Sequence, residues 1–154
     1  MRNRLNVVFI FLIILLFHPL HGIASQKTLL VKSYEINSIS SLGFRSYKIY
    51  ISVVIQNNSC DFFMENIQGI VYKKEEAILE VSMDDITISS GVTTIDANVA
   101  IVCSKRTSIF ALICNLLFSS LDDYSADVCL LCRMADREDV PINRHIRWKD
   151  VSSP

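Results

Sequence analysis

The chain has 154 residues, 51% of them apolar, with 15 Lys and Arg against 16 Asp and Glu, a formal net charge of −1. No basic tract accompanies that balance, which argues against nucleic-acid binding, where positive charge concentrates on one face. Its 4 glycines form no phosphate-cradling loop. Its 5 cysteines, an odd number, exclude a framework in which every thiol pairs within the molecule.

The first 25 residues carry an address. A basic start, Met1-Arg2-Asn3-Arg4, precedes the unbroken apolar run Val7 to Phe17, then His18-Pro19-Leu20-His21 and Gly22-Ile23-Ala24. This is the layout of a secretory signal with cleavage between Ala24 and Ser25, and the run is short for a transmembrane span. The alternative is an uncleaved N-terminal membrane anchor. Cleavage would remove Arg2 and Arg4, leaving 13 basic against 16 acidic residues, a net of about −3. Residues 25–154 would then form one domain, with no further stretch of membrane-spanning length, exported to the periplasm or cell envelope, or secreted.

Beyond the leader, period-two alternation dominates, the sign of strands with one buried face. Leu29 to Ile39 opens the domain. Tyr47, Ile49, Ile51, Val53 and Ile55 alternate with polar residues, and the run ends in the polar knot Gln56 to Asp61. Ile67 to Tyr72 turns through Lys73-Lys74-Glu75-Glu76 into Ile78 to Val81. Ile86 and Ile88 form a short strand before the turn signal Ser89-Ser90-Gly91. Ile95 to Cys103, Tyr124 to Met134, and Ile142 to Val151 complete about eight strands, which read as an antiparallel β-sandwich. One stretch breaks the rhythm: residues 108–119 read as a short apolar helix, capped by Thr107 or Ser108, that closes one end of the sandwich or dips into lipid.

The candidate chemistry is sparse. Cys129 and Cys132 match a CxxC pattern, but thiol exchange and zinc binding need both sulfurs on one side, and strand residues three apart face opposite ways. His145, the single histidine beyond the leader, has no strand-neighbouring nucleophile in sequence and reads as a surface position. Asp84-Asp85 and Asp122-Asp123 lack the glycine-containing loop of a calcium site and read as turn residues. Asn57-Asn58-Ser59 is a glycosylation sequon in a eukaryotic secretory host and otherwise a turn. No catalytic residue, metal ligand or cofactor is expected from these patterns, and the internal pairing of Cys60, Cys103, Cys114, Cys129 and Cys132 is left open.

The order of features resembles the late-embryogenesis-abundant type 2 family, the water-stress-and-hypersensitive-response domains, in its small exported Bacteroidetes-type form. The carrying residues are the strand Tyr47 to Asn57, Phe62-Phe63, Ile67-Gln68-Gly69-Ile70-Val71-Tyr72, Ile86-Thr87-Ile88, Ser89-Ser90-Gly91, Thr93 to Cys103, and His145-Ile146-Arg147-Trp148-Lys149-Asp150-Val151. Asn58 stands where that family often has Pro, and no Cys follows Ala24 as it would in a lipoprotein. The resemblance implies an immunoglobulin-like or fibronectin-like sandwich over residues 25–154 and no catalytic residues. Address and pattern together lead to the expectation of a non-enzymatic envelope protein that contacts a protein, a glycan or a lipid. The alternative is a sandwich that holds a hydrophobic ligand behind a gate at residues 108–118.

Overall fold

β-branched and aromatic residues at alternate positions bury one side of each strand and leave the other to polar groups. In the computed structural model, which describes residues 29–104, 121–134 and 138–149, this alternation builds eight strands: β1 (Leu29–Ser41), β2 (Ser46–Asn57), β3 (Phe62–Lys73), β4 (Glu76–Met83), β5 (Ile86–Ile88), β6 (Gly91–Cys103), β7 (Tyr124–Met134) and β8 (Val140–Arg147). The leader with Ala24 and Ser25, the expected helix at 108–119 and Cys114 lie outside the described residues.

Every pairing is antiparallel, and the strands hydrogen-bond in one continuous sheet of order β1-β2-β6-β4-β3-β7-β8, with β5 beside β3. β4 and β5 are successive pieces along the same edge of β3: Ile67 opposes Met83, and Met64 opposes Ile86. Both halves of the sheet send their inward residues to a single cluster, Ile51, Val53 and Ile55 of β2 with Phe62, Met64 and Ile67 of β3 and Ala126, Val128 and Leu130 of β7. A sheet that buries one face in one cluster has to curl over itself, which gives the sandwich-like, mainly β architecture that the alternation predicts.

β3 begins earlier than its alternation suggests. Phe62, Met64, Ile67 and Val71 all point inward, and the change of parity falls at a register shift between Glu65 and Gln68. Asn66, at the shift, takes a left-handed φ of 52°, which asparagine tolerates better than most residues. Asp85 steadies it by accepting the Asn66 amide at 3.1 Å. A bulge therefore lets one strand keep its apolar side on the core across a break in phase. The outer strands carry features that discourage pairing with another chain. β1 is interrupted by two register shifts, and β8 carries Pro141 and Arg144.

Among the described residues, the turns and strand ends gather at the two ends of the sheet. Antiparallel pairing places Leu29, Asn57, Phe62, Ile88, Gly91 and Met134 at one end. The β1–β2 turn, the β3–β4 turn, the start of β7 and the finish of β8 lie at the other.

Candidate functional site on the outer face of β3, β7 and β8

β7 is flanked by β3 and β8, so its outward residues meet outward residues from both. Asp127 pairs with Ile70 on one side and His145 on the other, and Ser125 pairs with Tyr72 and Arg147. Alternation thus places Tyr72, Ser125, Asp127, His145 and Arg147 on the outward side of the sheet, with Ser125 buried among its neighbours, although they come from three separate stretches of chain. Asp127 is the hub. His145 Nδ1 lies 2.6 Å from Asp127 Oδ1, and the Tyr72 phenol neighbours the same carboxylate. Loss of water around the Tyr72 phenol, then the hydrogen bond and negative charge of Asp127, raise its pKa and hold it protonated.

Around this network runs an open groove of about 750 Å³, lined by Lys74 and Glu75 of the β3–β4 turn, Asp122 and Asp123 before β7, Arg147 at the end of β8 and Lys149 just beyond it. A smaller hollow of about 380 Å³ adjoins it past the Asp127–His145 pair, between Gln68, Cys129 and Asn143. The backbone ties two of these segments together, the Lys74 amide donating to the Asp123 carbonyl at 2.7 Å. Chemically, the arrangement offers both charges, a fixed imidazole and a phenol donor in a shallow, wet concavity. A carboxylate holding an imidazole is the orienting half of a nucleophile–base–acid set. The neighbouring hydroxyl, Ser125, is 9% exposed and makes no hydrogen bond to His145 among the described residues.

Sequence reading placed His145 on a strand surface, where it is, and missed that Asp127 and Tyr72 converge on it. The signal was the outward phase of each strand; only the register makes those phases adjacent. Asp122 and Asp123 form a single 3-10 turn with Leu121 and border the groove. Asp84 and Asp85 diverge: Asp84 accepts the Asn98 side-chain amide at 2.9 Å, and Asp85 accepts the Asn66 backbone amide. Among the described residues, no three His, Cys, Asp or Glu side chains group as a metal would require.

Cys129 is exposed and Cys132 buried, so the CxxC pair straddles the sheet and cannot work as a dithiol. Burial raises the pKa of Cys132, with the nearby Cys60 adding to it, and burial raises that of Cys103. Asn57 is 1% exposed. Its Nδ2 donates to the Cys60 carbonyl at 2.8 Å and the Ile88 carbonyl at 3.3 Å, while its Oδ1 accepts the Ser59 amide at 2.9 Å. The nitrogen that a glycan would occupy is thus engaged in holding a corner. At the same end, Arg133 meets Asp139 through two nitrogens, at 2.7 and 3.2 Å, and lies over the Phe63 ring at 5.9 Å. Its charge is matched, and the Asp139 hydrogen bonds, foremost, raise its pKa.

No family model matches the chain, and no curated protein matches it. Among solved structures, it is similar to a protein from Archaeoglobus fulgidus at 6% identity and a TM-score of 0.42, covering 75% of this chain and 94% of that one. It is also similar to a beta-glucuronidase from glycoside hydrolase family 2 at 11% identity and a TM-score of 0.32, covering 71% of this chain and 11% of that much longer one.

Proposed function

We propose that this chain is a non-enzymatic, exported β-sandwich of the cell envelope, of the late-embryogenesis-abundant type 2 kind, that acts as a binding module. Its contact surface is the outer groove of β3, β7 and β8. The observation that carries this reading is the Asp127 hub: its carboxylate fixes His145 and neighbours the Tyr72 phenol in an open concavity, and among the described residues no hydroxyl or thiol bonds the imidazole for attack. Charges of both signs on the rim suit a polar partner, an envelope protein segment or glycan, better than a lipid tail. The groove therefore favours this reading over a hydrophobic-ligand carrier.

A photo-crosslinking residue placed at His145 should capture an envelope partner in cells. The same probe at Asn37, on the outer face of β1, should capture none. Mass measurement of the exported chain should find Ser25 at its start. Retention of residues 1–24 would overturn the free exported form. Ester or glycoside hydrolysis that disappears in both Ser125→Ala and His145→Ala would overturn the binding-module reading.

A further inference from the structure

The β1–β2 hairpin ends in an apolar point. Leu42 is 62% exposed and Phe44 98% exposed, at the end of the sheet opposite Leu29. The apex is held in place: the Leu42 amide donates to the Ser46 carbonyl at 2.8 Å, and the Cys103 amide of β6 donates to the Arg45 carbonyl at 2.9 Å. Phe44 therefore projects from a base of three strands. Arg45 and Lys48 are exposed beside it, and no Asp or Glu occurs between Ile36 and Ile51 or between Ala97 and Ser104.

A convex tip offers no groove to a protein partner's side chain. An exposed aromatic and leucine flanked by Arg45 and Lys48, with the exposed Glu80 of β4 set beyond β6 opposite Val102, is instead complementary to the headgroup region of an anionic bilayer, where apolar groups sink below the phosphates and Lys and Arg stay among them. We propose that the protein docks on an anionic membrane surface through the Leu42–Phe44 apex, with Arg45 and Lys48 on the lipid phosphates. This goes beyond the groove reading and does not depend on it, since the groove lies on another face.

The test compares Phe44→Trp with Val92→Trp in the full chain, each read as a difference spectrum against the unaltered protein. Val92 is 67% exposed and sits at the opposite end, where the chain emerges from its N-terminal segment. Both substitutions lie outside the core. With vesicles of phosphatidylcholine and phosphatidylglycerol carrying brominated acyl chains, the tryptophan at 44 should shift to the blue and be quenched, and the one at 92 should stay in water. Arg45→Glu with Lys48→Glu should weaken partition into those vesicles by roughly tenfold. An unquenched tryptophan at 44, or quenching at 92 equal to or greater than at 44, overturns the proposal. So does a lipid-free dimer that Phe44→Ser dissolves, which would assign the apex to a second copy of the chain.

Discussion

The two ends of the sheet solve different problems with similar materials. At the end where Leu29 enters, polar side chains are turned inward or locked: Asn57 is buried on two carbonyls and an amide, Asp61 accepts the Ser90 amide at 2.8 Å, and Arg133 grips Asp139. At the other end, polar and apolar side chains alike face water: His145 and Asp127 are each about half exposed, and Phe44 stands clear of the surface. The first end is architecture at its centre, where the Asn57 hydrogen bonds replace water that the corner has excluded, while Asp61 and the Arg133–Asp139 pair at its margin are exposed. The second keeps its groups available, which is what contact with a partner needs.

The sharpest way to break this comparison is Asn57→Ala. It leaves the Ile88 carbonyl without its partner in a buried site, and the Cys60 carbonyl and Ser59 amide without theirs in a partly buried one. The expected loss is about 3 kcal/mol of unfolding free energy, read from the midpoint of a urea titration at unchanged slope. A loss under about 1 kcal/mol would mean that the corner is wet, and the two ends would no longer differ.

Alkaline pH probes burial on the inner face. Cys103 and Cys132 have thiol pKa values raised in the fold, so the native state binds more protons than the unfolded chain once pH enters the ordinary thiol range. Their contribution is complete below that range and is lost as pH rises through the raised values; Tyr72 follows the same sign at higher pH. In the native protein, an alkylating reagent should modify the exposed Cys60 and Cys129 and spare Cys103 and Cys132 until denaturant is added. Equal labelling of Cys129 and Cys132 would contradict their placement on opposite faces.

The smallest effect lies at the groove's rim. Lys74 holds a left-handed φ of 58° in the two-residue β3–β4 turn, a conformation that costs a side-chain-bearing residue more than glycine. Lys74→Gly should stabilise the fold by about 0.5 kcal/mol. It should also remove one positive charge from the groove, so a polar partner captured at His145 should be held differently although stability barely changes. That split between stability and contact is what the comparison requires of the exposed end.

Much of the fold was legible from the residues. The inward phases of β2, β6 and β7 are uninterrupted from Ile49 to Ile55, Ile95 to Cys103 and Tyr124 to Met134, and each became a strand with that side buried. The first half of β3 was not legible, because the bulge at Asn66 shifts the phase and so Phe62 and Met64 do not align with Ile67 and Val71 under a strict period of two. The opposite-facing Cys129 and Cys132 followed from strand geometry alone. The Asp127 hub did not, since Tyr72, Asp127 and His145 are 55 and 18 positions apart and only pairing makes them neighbours.

By itself, then, the sequence determined what is local: which residues alternate, where Asn and Gly permit turns, and which side of each strand avoids water, because those depend on side-chain chemistry within a few residues. Tertiary structure alone decided the strand order, the burial of Asn57 and the meeting of Asp127 with Tyr72 and His145. These depend on register between distant segments, and register is fixed by the packing of one shared core that no single strand contains.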